Sequence, residues 1–136
     1  MTRREAREAV FCLLFEAEFR TEETKEEIYE SSAENREIPD DEYIKDTFFA
    51  VCDKREEIDA AIGENANGWK PERLGNVSRS ILRLAVYELM FMPSIPYNVT
   101  INEAIELAKK YDDEKARPFI NGVLNAVKNT LEKNED

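Results

Sequence analysis

The sequence predicts an all-α fold, a compact helical bundle of about six to seven helices in a single domain spanning residues 1–136. Three observations carry this. Apolar residues recur at three- and four-residue spacing through most of the chain, alternation of the β type is absent, and four-residue capping boxes stand ahead of two of the apolar stripes. The residues alone give about five substantial helices plus one or two short ones.

The first helix starts at the capping box Thr2-Arg3-Arg4-Glu5 and runs to about Phe19, with Val10, Leu13, Leu14 and Ala17 as its core stripe and Phe11 and Phe15 widening it. Arg20 to Pro39 is a mostly surface connection with a short helix near Thr24 to Ser31, anchored by Ile28 and Tyr29. Pro39-Asp40-Asp41-Glu42 opens a helix in which Ile44, Phe48, Val51, Arg55, Ile58 and Ile62 follow at helical spacing until Gly63. Trp69 to Gly75 reads as a short helical turn after the turn chemistry of Asn65-Ala66-Asn67-Gly68, with Trp69 a core plug.

Ser78 to Met92 is the central helix. From Ile81 onward only Arg83, Tyr87 and Glu88 interrupt its apolar residues, so it expects neighbours on several sides. Its polar stripe Arg79, Arg83, Tyr87 is spaced i, i+4, i+8 and is either a buried structural network or a docking edge. Pro93 and Pro96 end it. A capping box at Thr100-Ile101-Asn102-Glu103 then opens a helix whose stripe is Ile101, Ala104, Ile105, Ala108 and Tyr111, with Glu106 and Lys110 as an i, i+4 pair. After the charged loop Asp112 to Arg117, the last helix opens near Pro118 and buries Ile120, Val123, Leu124, Val127 and Leu131. Gly122 inside it points to a neighbouring backbone at close approach, because glycine there costs about 1 kcal/mol relative to alanine.

Composition excludes several function classes. Histidine is absent, and with it the commonest general base and neutral metal ligand; Cys12 and Cys52, in apolar patterns without CxxC spacing, read as buried reduced thiols. Phosphate-cradling glycine loops and Ser or Cys nucleophiles with a histidine partner are missing, so an enzyme, a metal site and a cofactor are not expected. No apolar run reaches a membrane span and the first ten residues lack a signal-peptide core, which predicts a cytoplasmic protein.

The net charge of -11 opposes nucleic-acid binding at first sight. It is unevenly spread: residues 16 to 46 hold thirteen acids and four bases, a net of -9, which leaves -2 for the rest. Basic patches therefore survive elsewhere. Arg3, Arg4 and Arg7 crowd the positive end of a helix dipole, where cations cost a few tenths of a kcal/mol each; a solvated helix end and a phosphate-binding cluster both remain open. Lys109, Lys110, Lys115 and Arg117 lie near Phe119 and Asn121, a combination suited to single-stranded RNA, although Phe119 reads equally as a core residue.

The runs Ser80-Ile-Leu-Arg-Leu-Ala-Val-Tyr-Glu-Leu89, Ile95-Pro-Tyr-Asn-Val-Thr-Ile-Asn-Glu-Ala-Ile-Glu-Leu-Ala-Lys109 and Phe119-Ile-Asn-Gly-Val-Leu124 closely resemble the NusB family of transcription antitermination proteins, and Arg3-Arg4-Glu-Ala-Arg7-Glu-Ala-Val10 resembles its arginine-rich start. The resemblance covers the chain nearly end to end. It implies two packed three-helix units without catalytic activity. It also implies partners: NusE, a small ribosomal protein, the boxA element of ribosomal RNA leader transcripts, and the elongating RNA polymerase that the complex holds against termination. By position, the RNA surface would use Arg3, Arg4, Arg7, Lys115, Arg117, Phe119 and Asn121, and the NusE surface Glu72, Arg73, Ser78 and Arg79. The competing expectation is a helical interaction module or homodimer without RNA activity.

Overall fold

The computed structural model describes residues 1–35, 37–67 and 73–134, and among these every regular element is a helix. Seven follow in order: α1 (Arg3–Ala17), α2 (Lys25–Glu34), α3 (Glu42–Asp53), α4 (Arg55–Asn65), α5 (Asn76–Phe91), α6 (Tyr97–Tyr111) and α7 (Ala116–Asn134). They divide into two compact units, Met1–Lys54 and Arg55–Asp136.

In the first unit α1, α2 and α3 pack on one another. Val10, Phe11, Leu13 and Leu14 of α1, Ile28 and Tyr29 of α2, and Ile44, Phe48 and Val51 of α3 are all buried. Each contributes about 1.5–3 kcal/mol relative to exposure. Side-chain caps start all three helices. Thr2 accepts from the Glu5 N–H at 3.1 Å, Thr24 from Glu27 at 3.1 Å, and Asp41 from Ile44 at 3.1 Å. In the first two the glutamate reaches back to the cap residue's N–H, which completes a capping box.

In the second unit α5 packs against α4, α6 and α7. Ile81, Leu82, Leu84, Ala85, Val86 and Leu89 are buried around most of its circumference, as expected of a helix covered on several sides. Its polar stripe divides. Arg83 donates to both Asp59 carboxylate oxygens, at 2.8 and 2.9 Å, and Glu88, only 1% exposed, accepts from the Thr100 hydroxyl at 2.8 Å. Tyr87 packs against Phe91 in a tilted ring pair with centroids 5.6 Å apart.

Several expectations change. The helix expected from Pro39 to Gly63 is two, α3 and α4, broken at Lys54, whose N–H makes the last α3 bond to Ala50. No glycine or proline marks the break, and Val51 and Ile58 stay in phase across it, so periodicity does not report it. Asp53 pairs with Lys25 and Asp59 with Arg83, so each side of the break is tied within its own unit. Arg55–Asp136 accordingly contains α4, α5, α6 and α7.

The helix expected at Thr100 begins at Tyr97 after Pro96, without a side-chain cap; Thr100 is buried and its hydroxyl serves Glu88. Tyr111, at 38% exposure, stands out of the α6 stripe. Cys12 is exposed and Cys52 half-buried, because α1 and α3 turn both thiols away from the apolar stripes. A Cβ at Gly122 would meet nothing within 4 Å among the described residues outside its own helical turn, so the expected close approach of a neighbouring backbone is not found there. Trp69 and most of its expected turn lie outside the described residues.

Candidate nucleic-acid interface

The first cluster of candidate residues sits at the start of α1. The Thr2 cap fixes the backbone of Arg3 and Arg4, and the Glu5 carboxyl is held below its ordinary value by the Thr2 backbone N–H and then by the Thr2 hydroxyl. A carboxylate in this first turn offsets part of the cost of cations at a positive helix end. Arg3 and Arg4 are exposed, whereas Arg7, one turn further on, is 6% exposed. Arg3 lies over the ring of Tyr43, its guanidinium carbon 4.1 Å from the centroid.

The sequence pattern does not single out Tyr43. It stands on the polar side of the α3 start, where nothing in the spacing shows which neighbour it meets. Its ring is half-buried, and its hydroxyl is buried without a hydrogen-bond partner among the described residues.

The second cluster surrounds the start of α7. Lys115 is exposed in the short loop after α6, where the Ala116 N–H bonds the Asp113 carbonyl at 3.0 Å. Arg117 is half-buried and its Nε is buried without a hydrogen-bond partner among the described residues. Asn121 is exposed, and its carbonyl and side-chain oxygens both accept from the Asn125 amide, at 2.9 and 3.2 Å. At about 100° per residue, Arg117 and Asn121 share one face of α7. Half-buried Phe119 lies on the opposite flank of the buried Ile120–Val123–Leu124 stripe. The structure thus groups the amide with the guanidinium and sets the ring apart.

The expected partner edge is largely turned inward. Ser78 donates to Asp112 at 2.5 Å, which ties the start of α5 to the loop after α6. Arg79 is 8% exposed and donates to the Leu74 carbonyl at 2.8 Å and to the Asn76 side-chain oxygen, at a helix start where Gly75 offers no side-chain cap. Arg73 is exposed. Glu72 lies outside the described residues.

Among the described residues no three His, Cys, Asp or Glu side chains come together in a way that could hold a metal ion. None of the described helices is long and apolar enough to cross a membrane. What the arrangement offers is cations, amides and rings at two helix starts, which is binding chemistry.

The NusB family model matches residues 4–129. The chain belongs to the NusB family. It is 46% identical over 132 residues to the transcription antitermination protein NusB of Bacillus mycoides, across 96% of this chain and 100% of that protein. The structure of T. maritima NusB superposes with a TM-score of 0.85 at 36% identity, covering 100% of this chain and 99% of that one. A NusB in a crystal structure of antitermination factors NusB and NusE in complex with dsRNA superposes with a TM-score of 0.83 at 34% identity, covering 94% of this chain and 96% of that one. The NusB family comprises antitermination factors, not enzymes.

Proposed function

We propose that this NusB-family chain acts as one functional domain that joins a NusE-type ribosomal protein on boxA-type single-stranded leader RNA of bacterial ribosomal RNA operons. The complex then holds elongating RNA polymerase against termination. The observation that carries this reading is the relative, matched over 94% of the present chain, whose crystal structure is of NusB and NusE in complex with dsRNA. The local chemistry agrees with it. Arg3, Arg4 and Lys115 are exposed at helix starts, and cations so placed neutralise phosphates.

The net charge of -11 makes affinity for RNA weak in isolation, so the partner is expected to contribute much of the binding. Arg73 is the exposed residue offered to NusE on the described part of the edge, and Ser78 and Arg79 shape that edge from beneath.

The test is a gel-shift titration with boxA RNA, with and without NusE, at several salt concentrations. Binding should tighten with NusE, and Arg3→Ala with Arg4→Ala should weaken it and lower the salt slope by about 0.7 for each phosphate of the single strand that is no longer neutralised. Unchanged affinity in the double variant would remove the RNA-site assignment. Self-association in sedimentation, without RNA retention at low salt, would favour a homodimeric interaction module instead.

A further inference from the structure

We propose that Arg3 and Tyr43 form a stacking platform for one unpaired RNA base, with the Arg3 guanidinium lying between the tyrosine ring and the base. The proposal rests on the RNA-binding reading above and assigns the contact within it.

Arg3 is singled out by its surroundings. The chain has 30 acidic residues against 19 basic ones, yet the exposed Arg3 side chain makes no ion pair or hydrogen bond among the described residues; it rests instead on the Tyr43 ring, at 4.1 Å. At that separation the cation is in van der Waals contact with the ring face. The guanidinium is flat and weakly hydrated, so its solvent side is an apolar-tolerant plane carrying positive charge. Unpaired bases stack on such planes while neighbouring cations hold the phosphates.

The platform is fixed before any ligand arrives. Capping by Thr2 sets the backbone of Arg3, and capping by Asp41 sets that of Tyr43. The Tyr43 hydroxyl, buried and without a hydrogen-bond partner among the described residues, takes no part in holding the stack, so the ring face is the element the proposal uses. An ordered stack loses little entropy on binding, which favours recognition over a mobile arginine reaching for a phosphate.

The experiment measures affinity for single-stranded boxA RNA with NusE present, as a function of salt, for the wild type and for Arg3→Lys, Arg3→Ala, Tyr43→Phe and Tyr43→Leu. The same RNA carrying single abasic substitutions and its duplex form serve as further ligands. Tyr43→Phe keeps the ring and should bind like the wild type. Arg3→Lys and Tyr43→Leu should each bind about tenfold more weakly with the salt slope kept, because charge is conserved and stacking is removed. One abasic position should cost the wild type about tenfold and cost Arg3→Lys nothing further, and duplex RNA should be insensitive to either variant.

Wild-type affinity in Arg3→Lys, together with a lowered salt slope in Arg3→Ala, would make Arg3 a phosphate ligand and overturn the platform while leaving RNA binding intact. Absence of any effect in every variant, including Arg3→Ala with Arg4→Ala, would remove the assignment of an RNA site to the start of α1. Arg3 is exposed, so Arg3→Lys decides the matter even if Tyr43→Leu fails to fold.

Discussion

The Arg83–Asp59 pair is the sharpest stability element of the second unit. Its two hydrogen bonds, 2.8 and 2.9 Å, form a bidentate fork between α5 and α4. The side chains are 9% and 25% exposed, which places the pair between two regimes. Exposed pairs contribute about 0.2–1 kcal/mol, whereas removing one member of a buried pair costs about 3–5 kcal/mol. Asp59→Ala should therefore cost about 2 kcal/mol. In a chain of this length that lowers the melting temperature by about 6–10 °C.

Arg55 also approaches Asp59, at 3.8 Å, but its side chain is 62% exposed, so Arg55→Ala should cost less than about 0.5 kcal/mol. The assay is a double-mutant cycle of Arg83→Met and Asp59→Ala by urea denaturation. A coupling of about 1–2 kcal/mol is expected, well beyond the roughly 0.3–0.5 kcal/mol within which independent sites add. Coupling inside that margin would refute the assignment of Arg83 to a structural network. RNA affinity with NusE should be unchanged in any variant of the pair that remains folded.

Thr100→Val removes a donor from buried Glu88 at nearly constant shape and should cost about 1–3 kcal/mol in denaturant, whereas Thr100→Ser should recover most of it. Gly122→Ala should stabilise by about 0.5–1 kcal/mol in the same assay, since its Cβ meets nothing within 4 Å; a destabilised variant would place an unseen neighbour there. Glu5 has a folded-state pKa below its ordinary 4.5, so its contribution to α1 is complete above about that pH and is lost as pH falls through the folded value. Glu5→Gln should flatten this part of the acid limb of the stability profile. Burial holds the Tyr29 hydroxyl above its ordinary 10.0, so it supports the fold below that pH and ceases to as pH rises through its folded value. Spectrophotometric titration should show a tyrosine ionising late, and Tyr29→Phe should abolish that step.

What the sequence makes legible, and what it hides, follows from the range of the interactions involved. Helix starts closed by local chemistry can be read directly, because donor and acceptor lie within four residues: Thr2 with Glu5 is such a case. Thr100 with Glu103 has the same local form, yet its hydroxyl answers a carboxylate twelve residues earlier, and the helix starts a turn sooner. Periodicity reports which face is buried but not where the backbone pauses, so the in-phase Val51 and Ile58 conceal the break at Lys54.

The same limit governs the candidate site. Arg3, Arg7 and Arg79 are all candidate binding cations in the sequence, and the fold makes them unlike. Arg7 is drawn out of solvent, Arg79 is engaged with the Leu74 carbonyl and Asn76, and Arg3 remains exposed on a ring. A guanidinium turned inward to close a helix start cannot also reach a phosphate without exposing the groups it satisfied, which costs about 1–3 kcal/mol for each buried partner left unpaired. That cost makes Arg79 a support of its edge. It leaves Arg3 exposed on the Tyr43 ring, with an open side on which the proposed base would stack.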